Sequence, residues 1–382
     1  MVDDSRNPLV TFYLMAFNQE RFIREAVEGA LRQTYSPLEL VLSDDCSTDD
    51  TFTIMQEAVK AYSGPHRIVL NRNDRNLGIS EHLNRIVELS TGELIVAADG
   101  DDVSQPQRTA RCVEVWLSHG KPAALVAGVS CIDGTGKRTR DGAWFTRFLP
   151  VEPESRAASL LRFSREGSPA LSTCSAALSR EMWEVFGPLP RGIWFEDSII
   201  SLRAWLLDRI VYIPEALVDY REHESNICNR VYPPLDTQHA RHEAEHVSRT
   251  DVRWRREALL GYAPDLELAA RLRWITGPMR DEIEREVQAR CACYQVIEEW
   301  WSVGWVKRLG QFLVLIGSGR LTEGRWCGPR LLPFGMFITL AAMWSRWRSA
   351  GKSALDSTVS RSCNMFWIYP LLDSCTHCLL AY

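Results

Sequence analysis

The chain has 382 residues and a formal net charge of −5; 46% of its residues are hydrophobic and 24% are charged. A chain of this length is typical of two domains, or of one large domain with an appendage, and its composition excludes global disorder. The slight excess of acidic residues argues against a nucleic-acid partner. A locally basic site can still hold a small anionic ligand.

Cysteine usage and the first residues indicate a cytoplasmic location. The 11 cysteines are scattered along the chain, and residues 1–8 are polar, with no apolar secretory core after them. Without export the thiols stay reduced, so we expect free cysteines. No run of about 18 or more apolar residues occurs, so a spanning helix is not predicted.

The first half of the chain alternates short apolar runs with segments of helical periodicity. Continuous apolar runs are typical of strands buried on both faces, and strand–helix alternation predicts a parallel sheet. Ser47 and Asp50 have a spacing that predicts a capping box for the helix carrying Phe52, Met55 and Val59. The predicted strands cover residues 9–16, 38–42, 68–70 and 94–98.

A second region begins near residue 123 and a third near residue 233. The sequence pattern therefore predicts three regions: 1–122, 123–232 and a mainly helical appendage over 233–382, whose highly charged segments are typical of solvent-exposed helix faces. The second region contains predicted strands at 124–129, 171–178, 210–213 and 216–220, a turn at 133–136, and helices at 180–186 and 197–207.

Acidic residues follow two of the predicted strands directly. Asp44 and Asp45 come after the second strand, and Asp99, Asp101 and Asp102 come after the fourth. Ligands of open parallel sheets bind beyond the carboxyl ends of the strands. Helix capping needs only one carboxylate, whereas three so close together repel one another unless a cation compensates. Oxygen ligands suit Mg²⁺ or Mn²⁺, which also bind the oxygens of a nucleotide diphosphate.

These segments, in this order and spacing, resemble a family 2 glycosyltransferase. The resemblance covers roughly residues 8–230. Its segments are Pro8–Asn18, Ser43–Thr51, Asn76-Leu77-Gly78, Asn84, Gly92–Asp102, Phe186–Leu189, Trp194–Asp197 and Tyr220–Asn226.

The resemblance implies an α/β fold of the GT-A type, with a Rossmann-like nucleotide-binding half over 1–122 and an acceptor half over 123–232 on one mixed sheet. It also implies an inverting transfer from a nucleotide-diphosphate sugar to a hydroxyl of a glycan or lipid-linked acceptor. The polymer is expected to be a bacterial surface glycan, such as O-antigen or capsule.

The resemblance also implies roles for residues of the first half. Asp44 or Asp45 would contact the nucleobase, Asp99 the ribose or the metal, and Asp101 the metal. Arg75 either neutralises phosphate or is simply solvated. The nucleotide pocket would be lined by Ala16, Asn18, Glu20, Asn76 and Gly78.

In the second half, Glu196 and Asp197 precede a predicted helix. They either stabilise its N-terminus through the helix dipole or supply the general base of an inverting transfer, and the resemblance favours Asp197 as base with Glu196 orienting it. His223 is expected to complete the metal site. Arg221 would instead clamp the diphosphate, because its guanidinium suits bidentate phosphate contacts.

A nucleotidyltransferase and a non-catalytic binding module are the alternatives to this interpretation. A nucleotidyltransferase needs a loop rich in Gly, Arg and Lys after the first strand to bind a triphosphate. At that position this chain has residues 16–20, which contain no Gly, Arg or Lys. A non-catalytic nucleotide-sugar-binding module predicts a broken acidic motif or a missing base, and both are intact.

Two segments of the appendage each allow two interpretations. Residues 331–344 form a short apolar segment flanked by arginine and tryptophan, which suits either a peripheral membrane contact or a packed helix. Cys375-Thr376-His377-Cys378 has the spacing of half a zinc site, with Cys291 and Cys293 as the other half, or belongs to a loose tail.

Overall fold

The computed structural model describes residues 7–141, 156–166, 171–226 and 253–299. Nine strands form one sheet in the order β3-β2-β1-β4-β8-β6-β9-β5, with β7 paired to β6. The strands are β1 Val10–Ala16, β2 Leu38–Asp44, β3 Arg67–Arg72, β4 Leu94–Asp99, β5 Val103–Ser104, β6 Ala124–Asp133, β7 Arg138–Asp141, β8 Ala176–Ser179 and β9 Ile210–Glu222.

Helices lie between the strands and beyond the last of them. Residues 253–260 are also helical, and residues 173–175 form a single 3₁₀ turn. The labelled helices are α1 Ile23–Leu31, α2 Thr51–Lys60, α3 Ile79–Leu89, α4 Arg108–Ser118, α5 Arg156–Glu166, α6 Glu181–Phe186, α7 Glu196–Leu207, α8 Ala263–Arg271 and α9 Gly277–Glu299.

The first half is the predicted parallel sheet. β1 pairs in parallel with both β2 and β4, and β2 pairs in parallel with β3. Phe12 and Leu14 pack into one core layer and Tyr13 into the other. Because neighbouring side chains of a strand point to opposite faces, an unbroken apolar run is what a strand buried on both faces requires.

The sheet continues into the second half without a break. β8 pairs antiparallel with both β4 and β6, and β6 pairs in parallel with β9. The predicted α/β class with one mixed sheet is therefore confirmed. The two short strands expected at 210–213 and 216–220 are one strand with a register shift opposite Gly128, where an added Cβ would lie 2.8 Å from the carbonyl oxygens of Pro214 and Glu215.

Ser47 does not cap the second helix, so that expectation is wrong. α2 begins at Thr51, four residues further on. The Ser47 hydroxyl instead donates to Asp44 and accepts the Asn18 backbone N–H at 2.8 Å. Asp49 Oδ1 accepts the Thr51 N–H at 3.0 Å, so the loop before the helix is closed locally.

The described part of the predicted appendage shares the core of the second half. Tyr262, Leu266 and Ile283 pack into the same buried cluster as Ile199 of α7. The five cysteines with described side chains are free thiols: Cys46, Cys112, Cys131, Cys174 and Cys291. None of the described helices combines the length and apolar character that crossing a membrane requires. Residues 331–344 and 375–378, and the Cys293 side chain, lie outside the described parts.

Candidate active site

The carboxyl ends of three parallel strands meet at one edge of the sheet. Ala16 at the end of β1 lies opposite Asp44 at the end of β2, and Met15 lies opposite Asp99 at the end of β4. This register brings the two acidic segments together, as expected for a ligand site beyond the strand ends.

Two loops at this edge are joined by reciprocal hydrogen bonds. Asn18 Oδ1 accepts the Thr48 N–H at 2.8 Å, and Glu20 Oε2 accepts the Asp50 N–H at 3.1 Å. Asn18 has a φ of 53°, a left-handed conformation that asparagine tolerates better than most residues. Asn18 and Glu20 therefore lie where the sequence predicts, but their side chains hold loops 17–20 and 47–51 together.

Asp44 and Asp45 are both buried and both bound to protein groups. Asp44 accepts the Ser47 N–H at 3.0 Å and lies 3.4 Å from Arg72 Nε; burial raises its pKa, and the hydrogen bonds from Ser47 oppose the shift. Asp45 is 3% exposed, and its Oδ1 accepts Asn73 Nδ2 at 2.8 Å. The buried carboxylates thus organise the loops, which differs from the direct nucleobase contact that we expected.

Asp45 also fixes the start of α3. Its Oδ1 accepts the Leu77 N–H and its Oδ2 accepts the Gly78 N–H, each at 2.9 Å. Gly78 has a φ of 79°, and nothing lies within 4 Å of where its Cβ would be. Asn76 is exposed and its Oδ1 accepts the Gly78 N–H at 3.0 Å. Gly78 thus leaves open space at the edge of the site, as a close backbone approach to a ligand requires.

The acidic cluster at the end of β4 contains one orphaned oxygen. Asp102 is 3% exposed and its Oδ1 accepts the Arg221 N–H at 2.8 Å, but its buried Oδ2 has no hydrogen-bond partner among the described residues. Ligand atoms of Asp99, Asp102 and Cys174 lie within 4.8 Å of one another. We expected Asp101 to share a face with Asp99; the turn after β4 instead brings Asp102 into the group of ligand atoms around Asp99, and Asp101 is not part of that group.

Burial and mutual repulsion shape the protonation of this cluster. Burial, followed by the charges of Asp101 and Asp197, raises the pKa of Asp99 to about 8. Burial, followed by Asp101 and Asp99, raises the pKa of Asp102 well above its usual range. The positive charge of Arg108 opposes both shifts. A nearby cation would stabilise the ionised form of these carboxyl groups.

His223 and Arg221 come from the end of β9 and reach the acidic cluster. His223 Nε2 lies 3.1 Å from Asp101 Oδ2, and its Nδ1 accepts the Ser225 N–H at 3.2 Å. Because Nδ1 acts as acceptor, the proton of a neutral ring sits on Nε2 and points at Asp101. His223 therefore lies at the predicted place, but its contacts favour orienting Asp101 over ligating a metal.

Arg221 does not face the open side of the site. It is 1% exposed; its Nε donates to the Asp101 carbonyl at 2.8 Å and its Nη2 to Glu25 Oε2 at 2.7 Å. Its guanidinium also lies 4.9 Å from the centre of the Phe22 ring. The expected diphosphate clamp is thus a buried arginine whose donors are already used, and we revise its role to structural.

Glu196 and Asp197 begin α7 and are held by one residue. The Thr173 N–H donates to Asp197 Oδ1 at 2.8 Å, and the Thr173 hydroxyl donates to Glu196 Oε1 at 3.0 Å. Burial raises the pKa of Asp197 to about 6, against the lowering effect of the Thr173 hydrogen bonds. Burial and the charge of Asp197 raise the pKa of Glu196 well above its usual range. Asp197 is therefore mostly ionised at neutral pH, yet close to its titration range.

Three residues of the site escaped the sequence analysis. Arg108 is fully buried; its Nη1 donates to Ser104 Oγ at 2.8 Å and its Nη2 to the Cys174 carbonyl at 3.1 Å. The sequence pattern predicts no element at this position, so no signal pointed to it. The others are Thr173 and Tyr13.

Tyr13 and Phe17 stand at opposite extremes of exposure. Tyr13 is fully buried, and its hydroxyl has no hydrogen-bond partner among the described residues. Burial, followed by the charges of Asp99, Glu196 and Asp197, raises its pKa, so this hydroxyl faces the carboxylates of both halves. Phe17 is 42% exposed, directly after β1.

Residues 11–186 match a known family. Residues 11–186 fit the sequence model described as Glycosyl transferase family 2, which covers β1 to α6 and therefore the acidic cluster. The region is a family 2 glycosyltransferase domain. Glu196, Asp197 and His223 lie beyond the matched part, so their roles in this family 2 domain depend on the geometry above.

Curated relatives share this domain over part of their length. EpsE of Bacillus subtilis, which is named as a glycosyltransferase, is 34% identical over 147 residues, which is 38% of this chain and 50% of EpsE. WcaA of Escherichia coli K12, whose name assigns it to colanic acid biosynthesis, is 35% identical over 30% of this chain and 38% of WcaA. Chondroitin synthase of Escherichia coli is 38% identical over 36% of this chain and 19% of its own. The chain thus spans half or less of the length of these relatives.

Two solved structures are similar to this chain. TarS of S. aureus, residues 1–349 in complex with UDP-GlcNAc, has a TM-score of 0.45 at 15% identity, over 77% of this chain and 91% of that chain. The mannosyltransferase PcManGT of Pyrobaculum calidifontis, in complex with GDP-Man and Mn²⁺, has a TM-score of 0.45 at 19% identity, over 78% of this chain and 88% of that chain.

Proposed function

We propose that this protein is an inverting glycosyltransferase that moves a sugar from a nucleotide-diphosphate sugar to a hydroxyl of a glycan or lipid-linked acceptor. The proposal includes a bacterial surface glycan as the product, and a cytoplasmic location at or near the inner face of the plasma membrane. The family 2 domain and the names of EpsE and WcaA support it.

One observation carries the proposal: carboxylates from the two halves of the sheet meet in one site. Asp99 lies at the end of β4 and Asp197 at the start of α7. Cys174 Sγ lies within 4.8 Å of a carboxylate oxygen of Asp99, and the neighbouring Thr173 donates its N–H to Asp197 Oδ1 at 2.8 Å. The charge of Asp197 also raises the pKa of Asp99. A sugar transfer needs a site for the charged donor next to a base for the acceptor, and in our proposal these carboxylates supply both.

The acidic residues fit a divalent cation. The buried Oδ2 of Asp102 lacks a partner among the described residues, and burial with like charges raises the pKa values of Asp99 and Asp102. Hard oxygen donors of this kind suit Mg²⁺ or Mn²⁺. In our proposal Asp99, Asp101 and Asp102 supply the oxygen donors for the cation, and His223 orients Asp101 through its Nε2–H.

When bound, the cation would stabilise negative charge on the leaving nucleotide diphosphate. The other roles belong to side chains and backbone groups of the protein. Asp197 removes the proton of the acceptor hydroxyl as its oxygen attacks the anomeric carbon, which inverts that centre. Thr173 orients Asp197 through its backbone N–H. Arg75 is exposed on the loop after β3 and remains the candidate for a phosphate contact, since Arg221 is occupied.

The nucleotide would lie against the edge formed by β1, β2 and α3. Phe17 offers an exposed ring at the end of β1 on which a base can stack, and Gly78 offers a backbone without a side chain. Asp45 contributes by holding the loop over residues 73–78 in place.

Release of nucleoside diphosphate tests the proposal. The protein is incubated with UDP-, dTDP- and GDP-sugars and Mn²⁺, and the products are separated by chromatography. We expect turnover of one donor and a drop of about 10²–10⁴-fold in Asp197→Asn, as for loss of a general base. Asp208→Asn, an exposed aspartate at the other end of α7, is the matched control and should keep wild-type turnover. Near-normal turnover of Asp197→Asn would remove the base assignment.

A further inference from the structure

An exposed tryptophan lies three residues before the candidate base in the chain. Trp194 is 40% exposed, and its ring stacks on that of the partly buried Trp254, with centroids 4.8 Å apart and planes 12° apart. Part of the Trp194 side chain thus stays open to water although Trp254 covers one face of its ring. A large apolar ring left open to water in a folded protein commonly marks a binding surface.

The loop that carries Trp194 is held firmly. Asn84 of α3 donates to the Leu189 carbonyl at 2.9 Å and accepts the Leu189 N–H at 2.7 Å. The N–H of Ile193, a residue that is 6% exposed, donates to Ser80 Oγ at 3.2 Å. Trp194 is therefore presented by an ordered segment, and its exposure is a fixed feature of the surface.

The position of the pair relates it to the reaction. Trp194 precedes Glu196 by two residues and Asp197 by three, where α7 begins. The intervening Phe195 packs under Arg255, whose guanidinium lies 4.6 Å from the ring centre. The helical segment 253–260 thus supplies both the partner of Trp194 and a contact to the start of α7.

We propose that the Trp194–Trp254 pair is a platform for a pyranose ring of the acceptor, which deepens the proposed function and rests on it. A sugar ring presents a flat patch of C–H groups bordered by hydroxyls, and such a patch matches a flat indole face. Arg191 lies on the same loop as Trp194 and Glu81 on α3; the two are 3.4 Å apart, with side chains that are 89% and 28% exposed, and they offer hydrogen bonds to those hydroxyls. The residues proposed to hold the nucleotide base, Phe17 and Gly78, are not part of the platform, so we assign the platform to the acceptor.

Saturation-transfer NMR tests the platform, because it detects weak ligands and shows which protons touch the protein. The probes are methyl glycosides of glucose, galactose, mannose, N-acetylglucosamine and rhamnose, with hexanol as an apolar control. Donor binding is measured in parallel by calorimetry with UDP-, dTDP- and GDP-sugars. The variants are Trp194→Ala, Trp194→Phe and, as an exposed aromatic on β9, Tyr212→Ala.

We expect at least one glycoside to bind the wild-type protein, with saturation concentrated on the C–H protons of one ring face. Trp194→Ala should weaken this binding roughly two- to tenfold, the equivalent of one aromatic stacking contact. Trp194→Phe and Tyr212→Ala should stay close to wild type, and donor binding should be unchanged in all three variants.

Three results would overturn the platform: equal glycoside binding by Trp194→Ala and wild type, hexanol binding as strong as that of the sugars, or no glycoside binding by the wild-type protein. Absence of donor binding by the wild-type protein would instead count against the proposed function. The two failures are thereby told apart.

Discussion

Asp197 is a buried carboxyl whose ionisation is set by two opposing influences. Burial raises its pKa to about 6, and hydrogen bonds from Thr173 hold it below the value that burial alone would produce. Only the ionised form accepts a proton from the acceptor. kcat/KM should therefore rise about tenfold per pH unit below about pH 6 and level off above it. Initial rates across a pH series, with saturating metal, measure this profile.

Removal of the Thr173 hydroxyl should move that profile. Thr173→Val keeps the backbone N–H but loses the side-chain hydrogen bonds that lower the pKa of Asp197 and Glu196. The rising part of the kcat/KM profile at low pH should shift to higher pH, and the level that kcat/KM reaches at high pH should change less. Thr139→Val, which loses a hydroxyl at the β6–β7 edge, is the control. An unshifted profile in Thr173→Val would contradict a role for the hydroxyl in tuning the base.

Single residues of the site were only partly predictable. The position of Asp99 and Asp101 directly after a predicted strand indicated a ligand site, whereas a catalytic role for Glu196 or Asp197 was implied by the family resemblance. Nothing in the sequence says which of two adjacent acids points inward. Asp45 accepts a hydrogen bond from Asn73, 28 residues further along the chain, and Arg221 donates to Glu25 from a buried position. Such contacts depend on partners that only the fold brings together.

Among the elements, the loop over residues 73–78 depends on Asp45. Asp45→Ala would leave Asn73 Nδ2 and the backbone N–H groups of Leu77 and Gly78 without their acceptor. We expect a loss of about 2–4 kcal/mol in the free energy of unfolding and weaker donor binding. Urea denaturation and calorimetry measure the two effects.

Asp74→Ala is the control for this prediction, because Asp74 is an exposed aspartate in the same loop. It should leave both quantities within about 0.5 kcal/mol of wild type. If Asp45→Ala behaved like Asp74→Ala, the loop would not depend on the buried carboxylate.

Strands with a strong apolar pattern in the sequence were predictable, and elements without such a pattern were not. β1, β2 and β4 were found because a strand buried on both faces needs a continuous apolar run. β5 is two residues long and exists through its pairing with Val218 and Asp219, more than 100 residues away. Residues 171–178 read as one strand, yet 173–175 turn to place Thr173 against α7. Apolar patterning alone does not distinguish these cases.

In the molecule as a whole, a buried ion pair joins the second half of the sheet to the helices that follow it. Arg203 Nε lies 2.8 Å from Asp265 Oδ2, with side-chain exposures of 2% and 5%, and Arg203 also donates to the Gly187 carbonyl at 2.8 Å. Asp265→Ala would leave the guanidinium buried without its counter-charge, at a cost of about 3–5 kcal/mol.

Thermal and urea unfolding of Asp265→Ala, with the exposed Asp281→Ala as control, test this coupling. Because α8 and α9 share a buried cluster with α7, the described helices should unfold with the sheet. Asp281→Ala should match wild type. Unchanged stability in Asp265→Ala, with α8 and α9 melting in a separate step, would contradict a shared core.

In the proposed reaction the acidic cluster holds a divalent cation together with a nucleotide-diphosphate sugar. Calorimetric titration of the wild-type protein with UDP-, dTDP- and GDP-sugars, with and without Mn²⁺, tests this directly, with Asp101→Asn and the control Asp74→Asn in parallel. We expect one donor whose binding needs Mn²⁺, is lost in Asp101→Asn and is kept in Asp74→Asn. Absence of donor binding by the folded wild-type protein, or binding indifferent to both Mn²⁺ and Asp101→Asn, would contradict it.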